Sequence, residues 1–330
     1  MVVGFSMLQE CQQSARLRHT GRMSKLLALT TPVQHALRDW IVGVLQRDNG
    51  TPINYDAPLG DAGLFGPASV TWRIHADFPG MMAGGVAALM LQTLHPRALA
   101  GVWDHSTFRT DILGRLRRTT AFVAGTTYAP TSEAQRLIAM VRGIHRKVRG
   151  ATPDGQRYSA MNPDLLTWVH CTEVASFIAG YQFYRGVSLP AVVQDRYYTE
   201  TAVIARALGA RKVPVSQRGM QQYFEAVQAD LEFSERSAAV LEVLAAIRLP
   251  IPLAGPAREL FLGAGATLLP PWASTRLGWG RVQRARHQAA ALTLKQLGPL
   301  LRLALRDGVG ARACRRVGMT YSELAQIPTS

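Results

Sequence analysis

The sequence predicts an all-α fold in a single domain, and three observations support this prediction. Apolar residues recur three and four residues apart, the spacing of a helix with one buried face, through most of the chain. Alternating apolar and polar positions flanked by hairpin turns, the pattern of β-strands, are scarce. The breaks between helical segments are short and rich in Gly, Pro, Asn or Asp, so none of them is typical of a flexible linker. Residues 1–30 are expected to form an N-terminal extension, and residues 31–330 the helical domain.

Composition narrows the class of protein. The chain has 330 residues, of which 48% are hydrophobic and 18% charged, so a disordered chain and a collagen-like repeat are excluded. Its three cysteines, Cys11, Cys171 and Cys314, are widely separated, which argues against a disulfide scaffold and a cysteine zinc site. No apolar run reaches the roughly 18–20 residues of a membrane span. We therefore expect a cytoplasmic protein with a core large enough to enclose an apolar cavity.

The individual helices can be placed in chain order, and some carry signals at their ends. Ser132, with Gln135 three residues later, is typical of a capping box at a helix start. Asn162, Pro163 and Asp164 supply an N-cap, a first-turn proline and a first-turn acid. Apolar residues have helical spacing in nine segments, 31–45, 80–94, 111–124, 133–148, 164–184, 189–208, 217–244, 257–268 and 281–305.

Positive charge is concentrated toward the C-terminus. The chain carries 37 Lys and Arg against 22 Asp and Glu, a net charge of +15. Residues 273–316 hold ten of the cations and a single acid, Asp307. No recognition helix, zinc-finger spacing or basic–aromatic alternation accompanies them, so we expect no specific nucleic-acid binding. Trp272, Trp279 and the leucines of 292–305 favour peripheral contact with a membrane surface, and a solvated basic face is the alternative.

Three segments place polar side chains where a purely structural helix does not need them. In the first, Arg115, Arg118, Thr119 and Phe122 are spaced i, i+3, i+4 and i+7, which puts them on one helix face. Two cations and a hydroxyl group beside an aromatic ring suit the wall of a substrate pocket. An exposed basic helix is the alternative for this segment.

The second segment centres on His145. Arg142 precedes it by three residues and Arg149 follows it by four, so all three share one face of the helix predicted over 133–148. A neutral imidazole there is suited to bind a metal or a haem iron, and the two guanidinium groups are suited to pair with carboxylates such as haem propionates. The alternative is a hydrogen-bonded core histidine.

The third segment holds His170 and, one turn later, Glu173. The two side chains are suited to ligate a metal or to bond each other, and we expect His170 to orient other groups at the site. A di-iron helix bundle needs several further glutamates, and none occurs between Glu10 and Glu133. This segment therefore predicts a supporting role more strongly than a di-iron centre.

Two smaller expectations concern the first third of the chain. Arg73 and Asp77, spaced i, i+4, are expected to form an ion pair within one helix. His95 precedes Pro96, which ends the helix predicted over 80–94, and it is a weaker candidate for the site.

Several motifs, taken together, resemble one family of proteins. They are LFGPASVTWR at 64–73, LQTLHP at 91–96, GVWDHSTFR at 101–109, GRLRRT at 114–119 and WVH at 168–170. In this order the set is similar to the MpaB/latex-clearing (rubber oxygenase) catalytic-domain family, and the resemblance covers roughly residues 60–290. It implies an all-α, globin-like core that holds a b-type haem and uses O₂.

The resemblance also implies roles for individual residues. His145, in an Arg-x-x-His-x-x-x-Arg pattern completed by Arg142 and Arg149, corresponds to the axial ligand of the haem iron. Arg115 and Thr119, four residues apart, correspond to a pair in the pocket on the other side of the haem. His170 corresponds to a histidine that supports the site.

The resemblance predicts a haem b-dependent oxygenase that acts on an apolar, isoprenoid or lipid-like substrate, with oxidative cleavage of a carbon–carbon double bond as its reaction. Two departures from the family are visible: Arg118 stands where the rubber oxygenase has a lysine, and the glutamate proposed there as a base has no counterpart. A non-catalytic haem- or lipid-binding protein is one alternative. A non-haem iron oxygenase built on His145, His170 and Glu173 is another. No pattern identifies an electron donor.

Overall fold

A computed structural model describes residues 53–249 and 254–326. It confirms the all-α prediction, because these residues form thirteen α-helices and only one two-stranded hairpin. The extension predicted at 1–30 and the helix predicted at 31–45 lie outside the described residues. The helices are α1 (Val70–His75), α2 (Phe78–Gln92), α3 (Pro96–His105), α4 (Ile112–Tyr128), α5 (Thr131–His145), α6 (Pro163–Arg185), α7 (Ala191–Leu208), α8 (Gln217–Val227), α9 (Glu235–Ala245), α10 (Ala254–Thr267), α11 (Pro271–Arg276), α12 (Arg281–Ala304) and α13 (Val309–Arg316).

The central helix is α6, which packs along α2 on one side and α7 on the other. Its backbone touches that of α2. A Cβ atom on Gly84 would lie 2.7 Å from the carbonyl oxygen of Ser176, and one on Gly180 would collide with the carbonyl oxygen of Gly80. Glycine at these positions is therefore what allows the two helices to approach so closely.

Asp77 joins three helices. Its carboxylate is fully buried and accepts from the backbone N–H of Gly80 at 3.0 Å, which caps α2. Arg302 of α12 donates to it at 2.5 Å, and Arg185 of α6 lies 3.1 Å away. The predicted ion pair between Asp77 and Arg73 is wrong, because the guanidinium of Arg73 donates to backbone carbonyls of the loop before α1.

A second carboxylate, that of Glu200 on α7, is half-buried and binds the start of α1. It accepts from the backbone N–H of Thr71 at 2.9 Å and from the hydroxyl of the same residue at 2.8 Å. Arg196, one turn earlier on α7, pairs with it at 3.0 Å. Both carboxylates therefore have partners that match their charge.

Local capping explains several helix ends. Asn162 accepts from the backbone N–H of Asp164 at 2.8 Å, which confirms the predicted start of α6. The capping box predicted at Ser132 is wrong. Helix α5 starts at Thr131, and the carboxylate of Asp61 accepts from the backbone N–H and the hydroxyl of that residue at 3.0 Å and 2.8 Å.

The helix predicted over 217–244 is two helices. Helix α8 ends at Val227, a single 3-10 turn follows, and α9 starts at Glu235. Ser234 and Ser237 hold the break, because each side chain accepts from the backbone N–H of the other residue. This reciprocal cap starts a new helix that the continuous apolar spacing concealed.

A two-stranded antiparallel hairpin fills the predicted break after α5. Strand β1 (Arg149–Ala151) pairs with β2 (Arg157–Ser159). Helix α5 ends at His145, with Arg146 as its C-cap. The prediction that Arg149 shares a helix face with His145 is therefore wrong, because pairing with β2 draws Arg149 into a strand.

The fold uses much of the basic segment 273–316. Five of its ten cations bind carboxylates or backbone carbonyls elsewhere: Arg276, Arg302, Arg312, Arg315 and Arg316. By contrast, residues 281–286 at the start of α12 are all exposed. Of the helices in the described parts of the chain, none is both long and apolar enough to span a membrane.

Candidate functional site

Helices α4 and α5 form a hairpin that is attached to the fold at its closed end. There the indole of Trp72 donates to the carbonyl of Thr127 at 2.9 Å, and the hydroxyl of Tyr128 donates to the carbonyl of Trp72 at 2.6 Å. The buried residues of α4 are its last four, 125–128, and those of α5 lie within 134–138. At the other end of the hairpin, Ile112 and Leu116 of α4 are only partly buried where they pack against an apolar cluster that includes Leu99 and Leu244.

Apolar side chains at this open end remain accessible. Leu116 and Phe122 of α4 and Val141 of α5 are only half-buried, and Ile144 is 54% exposed. Several such side chains close together are typical of a binding groove or a contact with another molecule. The open end of the hairpin therefore carries accessible apolar surface.

Helix α6 is surrounded by other helices. The stripe of α6 that includes Ser176 and Gly180 packs on α2, and the stripe that includes Ile178 packs on α7. The ring of Phe177 contacts that of His75 on α1, with their centroids 5.4 Å apart. Glu173, one turn before Phe177, keeps some accessible surface.

Helices α2, α3, α4, α6 and α9 line a small pocket. Its volume is about 50 Å³, and apolar side chains such as Leu99, Val169 and Leu244 form most of its lining. Of the described residues that line it, Arg115 alone is charged. An apolar lining with few polar groups is typical of ligand pockets, but this pocket is much smaller than the roughly 300–1,000 Å³ of most of them.

The structure separates the three residues predicted on α4. Arg115 lines the pocket, donates to the hydroxyl of Ser106 at 2.5 Å, and has a guanidinium pKa lowered by burial. Arg118 is exposed and forms a 3.3 Å ion pair with Asp111. Thr119 is also exposed, and its hydroxyl donates to the backbone carbonyl of Arg115 at 3.2 Å. Only Arg115 among the three is drawn into the pocket.

His145 lies at the end of α5, on the open side of the hairpin. Burial lowers the pKa of its imidazole, so the ring is neutral at neutral pH, the form that ligates a metal. Its Nδ1 atom is buried and has no hydrogen-bond partner among the described residues, and the same holds for Nε of Arg142. Arg149, on β1, is exposed and forms no ion pair with any described residue. These groups are free to bind something else.

Two further histidines of the sequence motifs, His95 and His170, are buried. Burial, aided by the charge of Arg206, lowers the pKa of His170 to about 4, and its Nε2 atom has no partner among the described residues. Burial also lowers the pKa of His95 to about 4, and its ring lies 5.8 Å from that of Trp168. His95 is the N-cap position of α3 and uses no side-chain hydrogen bond there.

Glu173 is a half-buried carboxylate on the central helix α6. Burial raises its pKa to about 7, and within residues 53–249 and 254–326 it has neither a hydrogen bond nor an ion pair. It interacts electrostatically with the hydroxyl of Tyr197 on α7. A carboxyl group in this state is about half ionised at neutral pH.

Sequence reasoning missed a buried hydrogen-bonded chain beside Glu173. The hydroxyl of Thr127 lies 2.7 Å from the carbonyl oxygen of Val123, to which it must donate, and 2.8 Å from Nδ1 of His75. Nδ1 of His75 is therefore a donor, and its Nε2 accepts from the hydroxyl of Tyr197 at 3.0 Å. No spacing rule connects His75 to a tyrosine 122 positions away, so no local pattern signals this hydrogen-bonded chain.

The metal-ligand alternatives can also be compared with the geometry. Among the described residues, no group of three or more His, Cys, Asp or Glu side chains is placed to hold a metal ion. His145, His170 and Glu173 are thus not brought together as the three-ligand set of a non-haem iron site. A single histidine ligand, as haem requires from the protein, is compatible with the arrangement.

Comparison with known proteins decides the family. The sequence model of the family described as "ER-bound oxygenase mpaB/B'/Rubber oxygenase, catalytic domain" matches residues 72–303. The chain belongs to this family. The resemblance predicted from the motifs is confirmed, and with it a general oxygenase role for this mpaB/rubber oxygenase domain. No curated protein and no solved structure matches the chain.

Proposed function

We propose that this mpaB/rubber oxygenase-family protein is a haem b-dependent oxygenase that acts on an apolar, isoprenoid-like or lipid-like substrate. Oxidative cleavage of a carbon–carbon double bond is the reaction we assign to it. The observation that carries the proposal is the group of unpartnered polar atoms at the open end of the α4–α5 hairpin. Nδ1 of His145 and Nε of Arg142 are buried there without described hydrogen-bond partners, beside the accessible apolar side chains of Val141 and Ile144.

The donor set fits a haem. A neutral histidine is the common protein ligand of haem iron, and burial keeps His145 neutral. Arg142 and Arg149 are cations at the same end of α5, where they would pair with the two propionates. His170 would orient the groups around the ligand. Haem, when bound, supplies the iron that activates O₂.

The other side chains of this region have roles that follow from their chemistry. The accessible apolar side chains of the hairpin would bind the hydrocarbon part of the substrate and exclude water from it. Arg115, the charged side chain of the small pocket, would donate hydrogen bonds to oxygen atoms of O₂ or of the product. Thr119, one turn further along α4, would add a hydroxyl donor.

The axial role of His145 can be tested directly. We expect the purified protein to give a Soret band after titration with haemin, and His145→Ala to abolish haem retention while far-ultraviolet circular dichroism stays helical. His287→Ala is the matched control, because His287 is a half-buried histidine on α12 whose Nδ1 also lacks a described partner. Full haem occupancy in His145→Ala would move the axial role to His170 or His95.

The same spectra discriminate the alternative functions. Iron that co-purifies without a Soret band would favour a non-haem oxygenase. A protein that takes up neither iron nor haem but binds lipid would favour a non-catalytic carrier.

The role of Arg115 can be tested against its neighbour. We expect Arg115→Ala to keep haem and to slow the reaction of the ferrous protein with O₂, measured by stopped flow, by about 10²-fold, as loss of one preorganised donor does. Arg118→Ala is the control, since that side chain is exposed and paired with Asp111. Equal rates in the two variants would contradict a role for Arg115 in the reaction with O₂ and leave α4 a structural role only.

A second proposal concerns access to a lipid-like substrate. The exposed start of α12 combines Arg281, Arg284 and Arg286 with Val282, which is 71% exposed. None of these three arginines forms an ion pair with a described residue. A short cationic and apolar surface of this kind suits peripheral contact with an anionic membrane, with each cation contributing about 1 kcal/mol.

Cosedimentation with vesicles tests this contact. We expect binding to phosphatidylserine-containing vesicles at low salt, weaker binding at high salt, and little binding to neutral vesicles. The triple variant R281E/R284E/R286E should lose the interaction. Replacing Arg312, which the fold uses to bind Asp56, should not. Binding that ignores both salt and lipid charge would contradict the proposal.

A further inference from the structure

One face of the β1–β2 hairpin carries two arginine side chains. The register places Arg149 opposite Ser159 and, two positions along, Ala151 opposite Arg157. Side chains alternate between the two faces of a strand, so all four residues share one face. The arginines are diagonal neighbours on it, with Cβ atoms about 7–8 Å apart, and their long side chains can reach one ligand. Both are exposed, and neither forms an ion pair with a described residue.

The other face of the hairpin is fixed to α3. The hydroxyl of Tyr158 donates to the carboxylate of Asp104 at 2.6 Å, and Nε2 of His105 donates to the backbone carbonyl of Arg149 at 3.2 Å. The ring of Tyr158 covers Gly150, where a Cβ atom would collide with the tyrosine hydroxyl. The strands are therefore held in place before any ligand binds, which lowers the entropic cost of binding.

A shallow groove of about 580 Å³ follows the exposed face of the hairpin. Its lining includes Arg149, Arg157, Ser159 and Asn162. Of the described residues that line it, none is acidic. A concave surface with two cations and no acid attracts anions.

The two neutral polar side chains of the groove have their oxygen atoms in use. Oδ1 of Asn162 accepts from the backbone N–H of Asp164 at 2.8 Å, so the NH₂ group of the same amide remains as a donor. The hydroxyl oxygen of Ser159 accepts from the backbone N–H of Met161 at 3.1 Å, and its hydrogen takes part in no described hydrogen bond. The polar side chains of the groove thus offer hydrogen-bond donors.

We propose that this groove binds a phosphate group, as a phosphate ester or a diphosphate. The two arginines bind its oxygen atoms through paired N–H groups, which match phosphate geometry. The amide of Asn162 and the hydroxyl of Ser159 donate to the remaining oxygen atoms, since a phosphate group has three strong acceptors. The inference goes beyond the proposed function and shares only Arg149 with it, which was paired there with a haem propionate.

Titration calorimetry with inorganic pyrophosphate at low salt tests the proposal. We expect the wild type to bind pyrophosphate at least about tenfold more tightly than acetate. Arg157→Gln should weaken pyrophosphate binding at least about tenfold, as the loss of hydrogen bonds between charged groups implies. Arg281→Gln removes the same charge from an exposed position of α12 and should leave the affinity within about twofold of the wild type.

Two further variants separate a defined site from attraction by net charge. Arg157→Lys keeps the charge but loses the planar group that binds two oxygen atoms at once, so it should bind pyrophosphate several-fold more weakly. Asn162→Asp keeps a good N-cap for α6 but places a negative charge in the groove. It should lose pyrophosphate binding while the thermal midpoint changes little. Full affinity in either variant, or equal weakening in Arg157→Gln and Arg281→Gln, would overturn the proposal.

A lipid headgroup and a soluble phosphate ester share this chemistry, and vesicles distinguish them. Cosedimentation with phosphatidic acid vesicles compares R281E/R284E/R286E, which lacks the proposed α12 contact, with the same variant carrying Arg157→Gln. Weaker vesicle binding on adding Arg157→Gln identifies a lipid headgroup as the ligand. Equal vesicle binding, with pyrophosphate still bound by the wild type, identifies a soluble compound.

Haemin titration shows whether the groove serves the cofactor instead. Arg157 has no part in the proposed haem site, so Arg157→Gln should give the Soret band of the wild type while it loses pyrophosphate binding. Loss of both would assign the groove to a propionate and overturn the phosphate proposal. Pyrophosphate affinity and the Soret band are separate measurements, so either proposal can fail alone.

Discussion

Asp77 and Glu173 are both carboxylates inside the helix bundle, yet their surroundings are opposite. Asp77 is contacted by Arg302 and Arg185 and accepts from the backbone of α2. Glu173 also lies inside the bundle, and burial raises its pKa, but it has no comparable partner among the described residues. One carboxylate stabilises the contact between α2, α6 and α12, while the other weakens the fold on the central helix. Regions that sacrifice stability in this way are typical of functional sites.

The largest expected effect on stability comes from replacing Asp77. Asp77→Ala should lower the free energy of unfolding by about 3–5 kcal/mol, because it leaves two partly buried guanidinium groups without an anion and removes the cap of α2. Urea denaturation followed by circular dichroism measures the loss. A change below 1 kcal/mol would mean that solvent reaches Arg302 and Arg185 well enough to replace Asp77.

Glu173→Gln should have the opposite effect and raise the free energy of unfolding. The ordinary glutamate pKa of 4.5 is raised to about 7 in the folded protein, so the folded state binds more protons than the unfolded state between these values. Stability contributed by the protonated carboxyl group is therefore lost as pH rises from about 4.5 to 7. The glutamine variant should be more stable than the wild type by about 3 kcal/mol at pH 8 and by about 1 kcal/mol at pH 5.

Urea denaturation at the two pH values checks this prediction, with Glu242→Gln as the exposed control. A pH-independent difference between wild type and Glu173→Gln would show that Glu173 has a partner in solution.

The close contact between α2 and α6 gives a third effect, intermediate in size. Gly180→Ala should destabilise the fold by about 1–3 kcal/mol, since its Cβ would collide with the backbone of α2. Gly143→Ala on α5 is the matched control: nothing lies within 4 Å of its Cβ position, so it should stabilise the helix by up to about 1 kcal/mol. Thermal unfolding compares the two, and similar midpoints would contradict the tight α2–α6 contact.

The smallest effect is expected at the surface of α4. Arg118 and Asp111 form an ion pair with both side chains more than half exposed. Arg118→Ala should therefore change the free energy of unfolding by less than about 1 kcal/mol, and less still at high salt. Denaturation at low and high salt measures this. A larger loss would place Arg118 among the groups that support the hairpin.

Local patterns predicted most of the helices because each depends on a few neighbouring residues. The start of α6 at Asn162 and the helices over 281–305 and 189–208 need only apolar spacing and a cap. The prediction of one helix over 217–244 was wrong for an equally local reason. Ser234 and Ser237 cap each other and interrupt the helix, although the apolar spacing continues through the break. Arg149 was misplaced because a three-residue strand pairs with residues further on.

The candidate site could be proposed from the sequence only where a motif names its residues. His145, Arg142 and Arg115 were singled out in this way and stay predictions, and the structure leaves polar atoms of the first two without described partners. The partners of Asp77 lie on α6 and α12, far along the chain, and the chain from Tyr197 to Thr127 joins three helices. Such contacts arise from the packing of whole helices, which no local spacing encodes.

The glycine contact between α2 and α6 divides the surface of α6 into two classes of position. Gly80, Gly84 and Gly180 set the distance between the helices, and larger residues there change the whole bundle. Val169 lies on α6 but lines the pocket. A substitution at this position changes the pocket lining while the helix spacing stays fixed. New ligand preferences can therefore evolve on α6 one residue at a time, without passing through unfolded intermediates.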